Sequence, residues 1–461
     1  MRTNNILSGS IVKGLLSMSI PIMVMNVCQS LFNIIDMTIL GNMVGDHAVG
    51  AVGACSVLIS LTSGLLVGLS SGANVIIAKH IGSQNRQDAE KAEGTAILVG
   101  IVGGLFLMIV GLIFAKDFLK LSNCPAALLD DATLYFRLHF IVVPFSMLYS
   151  FSASILRSVG DTRRPMLYLL FSGVIKVILT YLFVLTFETS VEGVGVATII
   201  STLTSSFLTF RAVIKNKQSI TFRFKNVRFF GKELKPIFFI GIPAGLQTAL
   251  YSVANLVISA TVNGYGENAT TGISIANQFD GILYNICIAM PYAVTTYVAQ
   301  NVGARNLKRV KQIILRSILL TSLIGGALGA LSAIFSGNLS GLMSNNPEVI
   351  HYAQEKMIII SSTYFIMGIN EIMCATMRGL SKPIIPTVST LVYMCLIRFV
   401  WVFLFFPLCP NFTFLYLIWP IGWTLSIGTI LVFFIPTMKK LKREFAKPVI
   451  QETEEKELCR S

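Results

Sequence analysis

The sequence predicts an all-α membrane protein with twelve transmembrane helices arranged as two homologous six-helix halves. Only 13% of its 461 residues are charged, whereas a soluble domain carries about a quarter. The mean hydropathy is +0.73, and apolar stretches long enough to cross a bilayer core of about 30 Å recur along the chain. The third observation is an internal repeat, described below.

The apolar stretches are helices rather than barrel strands. A spanning chain must pair its own backbone groups, so it forms helices or a closed barrel, and barrel strands alternate polar and apolar residues. The segment GTAILVGIVGGLFLMIVGLIF (94–114) is apolar on every face. The predicted helices are 15–40, 48–78, 95–115, 132–156, 166–187, 192–211, 236–263, 269–300, 313–336, 350–376, 384–406 and 412–437.

The basic residues give the orientation. Thirty of the 36 lysines and arginines lie in the chain ends, loops and adjoining helix ends of the side that holds both termini, and two, Lys176 and Arg398, lie deep inside predicted helices. This bias predicts a cell-membrane protein with both termini in the cytoplasm. The net charge of +14 therefore reflects the orientation of the chain in the membrane. We expect the basic side chains to contact anionic lipid headgroups, and we expect no nucleic-acid partner. Four basic residues lie in the opposite loops or the adjoining helix ends: Lys116, Lys120, Arg137 and Lys356.

The sequence contains no pattern that indicates an enzyme or a cofactor. The first helix runs too far from Leu15 for a cleaved signal peptide, so we expect it to remain as an anchor. The eight cysteines form no CxxC pair, and the chain has no phosphate-binding loop, metal-ligand cluster or nucleophile with a paired base. We expect no cofactor beyond a coupling ion, H⁺ or Na⁺, and no catalytic residue or metal site.

Three loops repeat at one offset of 221 residues. AKHIGSQN (78–85) returns as AQNVGARN (299–306), and GDHA (45–48) returns as GENA (266–269). Arg157 and Pro165 likewise match Arg378 and Pro386. An even number of helices in each half gives both halves the same orientation, as in several transporter folds. Duplication also suits a channel, so it favours a transporter without deciding the question.

The repeat divides the chain into four parts. We predict an N-terminal six-helix bundle (1–211), a basic cytoplasmic linker (212–235), a C-terminal six-helix bundle (236–437) and a charged cytoplasmic tail (438–461). A solvated linker would let the two bundles rock about a central cleft. We expect a monomer.

Five ionisable residues lie deep inside predicted helices, away from the helix ends, where a charge costs several kcal/mol unless it faces a cavity or a partner. One interpretation is a set of structural ion pairs that lock helices together. The other is a proton, ion or substrate site inside a cleft. The five are Asp36, Lys176, Asp280, Glu371 and Arg398.

The first helix combines an acid with a proline. Pro21 lacks a backbone N–H and predicts a hinge. Asp36 follows about four turns later, and spacings of three and four place Gln29 and Asn33 on its helix face. An acid on a helix that can bend is a candidate switch, because its charge state changes which bend is favoured.

The fifth predicted helix carries Lys176, with Thr180 one turn further along. A lysine near Asp36 would pair with the carboxylate and compete with a sodium ion for the same negative site. The candidate cation-coupling residues are therefore Asp36, Lys176, Thr180 and Asn33.

The second half does not repeat these charges. Asp36 and Lys176 correspond to Val257 and Ile397 at the 221 offset. We therefore predict coupling in the first half and recognition of cations in the second. The candidate substrate-binding residues are Gln29, Asn255, Gln278, Asp280, Glu371 and Arg398.

Residues 10–437 resemble the multidrug and toxic compound extrusion (MATE) family, because several short segments occur in the family's order and in both halves. The resemblance is carried by PIMVMNVCQSLFNIIDMTILG (21–41), by AKHIGSQN and AQNVGARN, and by LRSVGDTRRP (156–165) and MRGLSKPIIP (377–386). It implies a V-shaped pair of bundles with alternating access. It also implies antiport, in which entering protons or sodium ions drive amphipathic, often cationic, compounds out.

The resemblance assigns roles to matched positions. Asp36 matches the family's first-helix acid, Pro21 its kink proline, and Asp280 and Glu371 the acids on the eighth and tenth helices. The chain departs from the pattern at Lys176, where members often have asparagine. It has no acid on its seventh predicted helix either. The first departure favours H⁺ over Na⁺ as the coupling ion.

The main alternative is a lipid-linked oligosaccharide flippase of related architecture. Flippases tend to carry several cationic residues in the cavity, whereas the five ionisable residues deep in the predicted helices here are two cations and three acids. That count favours an exporter of cationic compounds. A sugar carrier of the other large duplicated class would need a Gly-Asp-Arg motif that GSQNRQDAEKAEG (82–94) lacks, and no clustered acid or histidine motif indicates a membrane enzyme.

Overall fold

The computed structural model describes residues 6–122, 124–187, 189–216, 220–409 and 411–446, and this part of the chain consists of helices and turns. Its α-helices, in chain order α1 to α17, are Ile11–Met43, Asp46–Gly82, Arg86–Leu121, Leu129–Ser158, Arg163–Phe187, Val191–Ile214, Gly231–Asn263, Glu267–Cys287, Ala289–Gly303, Leu307–Ile334, Ser336–Gly341, Pro347–Ser362, Tyr364–Gly379, Ile384–Thr390, Ile397–Val400, Phe412–Tyr416 and Ile418–Ala446.

These helices form the twelve predicted membrane spans. Eleven helical stretches of the described chain are long and apolar enough to cross a bilayer, and α12 and α13, bent by 49° at their junction, form a twelfth. Helices α1 to α6 form the N-lobe. In the C-lobe, α8 with α9 and α16 with α17 each form one span, and α14, α15 and two π-helical turns share another. The predicted fold class is confirmed.

The repeat is visible in the backbone. The described residues with left-handed φ fall into three pairs that are each 221 positions apart. Each pair therefore marks the same turn in both halves. The pairs are Gly45 (113°) with Gly266 (99°), Gln84 (58°) with Arg305 (53°), and Gly160 (88°) with Ser381 (59°).

Several helices extend further than their apolar segments. Helix α3 begins at Arg86, nine residues before the predicted start at 95, because the side chain of Asn85 accepts a hydrogen bond from the Asp88 backbone N–H and caps the helix. Asn306 caps α10 in the same way, through the N–H of Arg309. The hydrophilic first turns of these helices therefore project beyond the apolar part of the span.

Both described chain ends pack at one end of the molecule, called here the termini side. Ile6 and Ile11 share a buried cluster with Val310 and with Met438 near the end of α17. The predicted tail 438–461 begins inside α17, and its residues 447–461 lie outside the described part of the chain.

The lobes contact each other along α2 and α7. The glycines at 64, 68 and 72 bring the two backbones together, because a Cβ on Gly68 would overlap Gly245 and one on Gly72 would overlap the carbonyl of Ile237. At the termini side, Nε2 of Gln300 donates to the carbonyl of Ser158 (2.6 Å). The lobes are closed there.

The linker between the lobes is packed against the N-lobe. Ile220 and Phe222 are buried in the N-lobe core, and Arg223 forms an ion pair with Glu90 on α3 (3.2 Å). The described part of the linker is therefore packed against the N-lobe at some positions, while others, such as Lys225 and Arg228, are exposed, so it is not a wholly solvated connection. Apolar residues at alternate positions, and the acids Asp88 and Glu90 near the start of α3, which pair with Lys232 and Arg223, supply these contacts.

Candidate functional site

Two cavities form the cleft. The large cavity, about 750 Å³, lies between the lobes, and its lining comes from α1 and α2 on one side and from C-lobe helices on the other. The small cavity, about 400 Å³, lies within the N-lobe. Asn26 and Gln29 of α1 line both cavities. Ser63 and Val67 of α2 and Tyr292 of α9 also line both, so α1 is one part of a shared boundary, and a movement of this helix changes both cavities.

A buried ion pair closes one side of the small cavity. Asp36 on α1 is only 5% exposed. It forms an ion pair with the Lys176 ammonium and accepts a hydrogen bond from Thr180 Oγ1 (3.3 Å), both on α5. Lys176 lines the small cavity and Asp36 does not, so the carboxylate connects with the cavity through the lysine.

The other first-helix residues lie along the same helix. Asn33 and Gln29 are exposed along the small cavity. Pro21 is buried inside α1, which is helical from Ile11 to Met43. Pro21, which has no backbone N–H, lies about four helical turns from Asp36 toward the termini side.

Helix α1 is also bonded to the C-lobe. Asn26 Nδ2 donates to the backbone carbonyl of Asn285 on α8 (3.2 Å). The amide of Asn285 in turn donates to Ser30 Oγ (2.9 Å). One face of α1 is thus tied to α5 of the N-lobe and another to α8 of the C-lobe.

A second buried ion pair lies in the large cavity. Lys356 on α12 is 4% exposed. Its ammonium lies 2.8 Å from Oδ2 of Asp280 on α8 and bonds the side chain of Asn277. The placement of Lys356 in a loop or helix end was wrong. Hydropathy locates the span but not the direction of each side chain, and in the structure this one faces α8.

Glu371 on α13 lines the large cavity and is buried. Its Oε1 accepts a hydrogen bond from the Tyr251 hydroxyl (3.3 Å). In the described part of the chain, no lysine, arginine or histidine nitrogen lies within 4 Å of this carboxylate. Glu371 is therefore the cleft carboxylate without a cationic partner.

Arg398 on α15 is 1% exposed and lines the large cavity. Its Nη1 donates to Asn255 Oδ1 on α7 (2.7 Å). Its guanidinium carbon lies 4.4 Å from the ring centroid of Trp419. π-Helical turns, 391–396 and 401–405, flank it on both sides. Such turns recur at functional sites.

Gln278 is not where it was predicted. The side chain is exposed and does not belong to the cavity lining, whereas its neighbour Asn277 does. Consecutive helical residues point about 100° apart. The sequence therefore located the correct turn of α8 but the wrong face.

Two cleft arginines were missed because they lie near the turns. Arg157 lines the small cavity, and its guanidinium lies 5.4 Å from the ring centroid of Tyr292. Arg378 lines the large cavity, where its Nη1 donates to Gln247 Oε1 (2.9 Å). The repeat contained a usable signal, because it retains an arginine at this equivalent position in both halves.

These additions change the charge count on which a cationic substrate was predicted. The cleft and the groups bonded to its lining include three acids, Asp36, Asp280 and Glu371, as expected. The basic side chains number five rather than two: Arg157, Lys176, Lys356, Arg378 and Arg398. The count of two was wrong.

The twelve spans, the two lobes and a polar cleft at membrane depth define a multi-pass membrane transporter. Aromatic side chains line the large cavity beside these polar groups, as is usual for sites that bind small molecules.

Comparison with known proteins identifies the family. The MatE family profile matches residues 21–182 and 243–404, once in each half. A Bacillus subtilis (strain 168) protein named "Probable multidrug resistance protein YoeA" is 29% identical over 380 residues, covering 81% of this chain and 82% of the relative. A Shewanella oneidensis protein named "FAD transporter" is 24% identical over 401 residues, 86% of this chain and 88% of the relative.

The fold agrees. The structure titled "Crystal structure of MATE in the straight conformation" matches with a TM-score of 0.88 and 19% identity over 96% of this chain and 100% of that one. The chain belongs to the MatE family: it is a multidrug-efflux type transporter of small molecules, not an enzyme.

Proposed function

We propose that this transporter is a proton-driven antiporter that exports amphipathic small molecules by alternating access between its two lobes. It would act as a monomer in the cell membrane with both termini in the cytoplasm, in contact with lipids and with no nucleic-acid partner. The buried contact of Asp36 with Lys176 and Thr180, beside the small cavity, is the observation that carries the proposal.

Protonation of Asp36 would cancel the ion pair that holds α1 to α5. Breaking a buried pair costs several kcal/mol, because the remaining charge is left without a partner. Lys176 would then turn toward the small cavity, which it already lines. Since α1 is also bonded to Asn285 of α8, a change at the carboxylate reaches both lobes through one helix.

A sodium ion fits this site poorly. The Lys176 ammonium already bonds Asp36, and Thr180 supplies a third polar group. A metal cation would have to displace a covalently attached positive charge before it reached the carboxylate. H⁺ avoids this competition, since it binds one oxygen and neutralises the acid.

Glu371 is a second candidate proton site. It is buried, it lines the large cavity and it accepts a hydrogen bond from a tyrosine. A carboxylate in contact with the substrate space can couple proton release to substrate binding, because the two charges influence each other's affinity.

The test uses purified protein in liposomes that contain a fluorescent amphipathic dye. We expect a pH gradient to drive dye transport and a sodium gradient at constant pH to have no effect. Asp36→Asn should abolish proton-driven transport, and Glu371→Gln should reduce it. Arg137→Gln is the control, because Arg137 is exposed and lies outside both cavities. Transport that needs sodium, or full activity of Asp36→Asn, would refute proton coupling at this site.

The flippase alternative gains support from the five basic side chains, since a lipid-linked pyrophosphate requires clustered positive charge. Farnesyl pyrophosphate, a soluble mimic of that headgroup, separates the two functions. Tight binding of farnesyl pyrophosphate by the purified protein, together with failure of a pH gradient to drive the dye, would favour the flippase.

A further inference from the structure

Arg398 has no acidic partner. Three of the five basic cleft residues, Arg157, Arg378 and Arg398, have no carboxylate within 4 Å in the described part of the chain, whereas Lys176 and Lys356 are each paired with an aspartate. Arg398 is the most buried of the three. A buried cation is costly unless it is paired. Among the described residues, Arg398 has no carboxylate close enough to pair with its charge.

The guanidinium of Arg398 also has free hydrogen-bonding capacity. Arginine has five N–H donors. The structure gives it one hydrogen bond, from Nη1 to the neutral Asn255, and its buried Nε has no hydrogen-bond partner among the described residues. A planar fork with unused donors matches a carboxylate, sulfonate or phosphate group.

The side chains around Arg398 favour an anionic ligand that also contains an aromatic ring system. Trp419 lies against the guanidinium, and Trp423, Tyr251 and Tyr416 line the same cavity. Aromatic side chains favour flat aromatic ligands, which stack on their faces or edges. The cavity volume of about 750 Å³ is in the range that holds a drug-sized molecule.

We propose that the large cavity binds amphipathic anions, with the anionic group on Arg398 and the aromatic body against Trp419 and its neighbours. This inference rests on the proposed export function and adds the substrate class to it. Asn255 positions the guanidinium. Arg378, which lines the same cavity, adds to the positive potential.

The test compares two dyes that share a xanthene scaffold: fluorescein, which is anionic at neutral pH, and rhodamine 123, which is cationic. Their binding to the full chain in nanodiscs is measured by fluorescence anisotropy without any ion gradient. We expect the wild type to bind fluorescein more tightly than rhodamine 123. Arg398→Gln should weaken fluorescein binding about tenfold or more, with rhodamine 123 binding unchanged or tighter.

A second variant keeps the arginine. Asn255→Asp places a carboxylate at the position that now accepts the Nη1 hydrogen bond at 2.7 Å, so the chain itself provides the missing counter-ion. We expect this variant to fold and to lose fluorescein binding by about tenfold or more. Arg137→Gln, an exposed arginine outside the cavities, is the matched control and should bind both dyes as the wild type does.

The proposal is overturned if the wild type binds rhodamine 123 as well as or better than fluorescein. It is also overturned if Asn255→Asp leaves fluorescein binding unchanged. Because binding is measured without a gradient, it separates the two proposals. Fluorescein binding through Arg398 without any proton-driven transport would support this inference and refute the proposed function.

Discussion

Gly82 and Gly303 occupy equivalent positions of the two halves, and each packs against the helix that carries the other. A Cβ added to Gly82 would overlap the backbone carbonyl of Gln300, one added to Gly303 would overlap that of Lys79, and both overlaps are with backbone atoms that cannot rotate away. The contact is reciprocal because the offset between the residues is that of the repeat. It lies at the termini side, where α2 and α9 end, and it holds the lobes closed there.

The first prediction concerns this contact. Gly82→Ala should destabilise the state in which the lobes touch, because the new methyl group cannot fit between the backbones, and should shift the population toward a state that is open at the termini side. Spin labels at Arg163→Cys and Lys382→Cys in a cysteine-free background, both exposed near turns on that side, would report a longer distance in the variant.

Gly53→Ala is the control on the same helix. No atom lies within 4 Å of a Cβ at Gly53, so alanine there should be neutral or stabilise α2 by up to about 1 kcal/mol. Identical distance distributions for Gly82→Ala and the wild type would show that the glycine contact does not control closure.

The sequence was sufficient for the fold but only partly for the site. The spans follow from hydropathy, because a bilayer requires long apolar helices, and the offset that relates Gly45 to Gly266 also predicted the turns. The sequence also identified Asp36 and Lys176 as charges that each need a partner or a cavity, and their contact with each other comes from the structure. These inferences depend on local patterns or on energetic necessity.

The remaining residues depend on tertiary structure. Lys356 lies on α12, which meets α13 at a 49° bend, and its ammonium pairs with Asp280 on α8. A bend without a proline gives little signal in one sequence. Arg378 lies near a turn, but its long side chain reaches Gln247 on another helix. Whether Asn277 or Gln278 faces the cavity depends on a rotation of α8 that its mixed composition leaves open.

The second prediction concerns the coupling ion. Lys176→Gln should convert proton-driven transport into transport that responds to sodium, because removal of the ammonium leaves Asp36 and Thr180 as oxygen ligands for a metal cation. The measurement is dye transport in liposomes under a sodium gradient at constant pH. Loss of all transport with no response to sodium would contradict the view that Lys176 excludes the metal ion.

The third prediction concerns Asp280 and Lys356. Removing one member of a buried pair costs about 3–5 kcal/mol, whereas replacing both is far less harmful. Lys356→Met should therefore destabilise the protein strongly, and addition of Asp280→Leu should restore part of the loss. Thermal unfolding in detergent would measure both effects.

The exposed pair of Lys440 and Glu444, separated by 3.9 Å, provides the comparison. Lys440→Met should change the unfolding free energy by less than about 1 kcal/mol. A double variant of the buried pair that is less stable than Lys356→Met alone would show that Asp280 contributes to stability through other contacts.

The fourth prediction concerns the link between α1 and the C-lobe. Ser30→Ala removes the acceptor of the Asn285 amide hydrogen bond without altering the ion pair of Asp36. A net hydrogen bond contributes about 0.5–1.5 kcal/mol, so its loss should slow proton-driven transport by about two- to tenfold while dye affinity stays constant. Thr38→Ala is the control on the same helix, because the Thr38 hydroxyl donates only to Ile34 of α1 itself. If both variants slowed transport equally, the slowing would reflect a change within α1, and the predicted role of its contact with α8 would be wrong. If only Ser30→Ala did so, the hydrogen bond between α1 and α8 would be part of the coupling between α1 and the C-lobe.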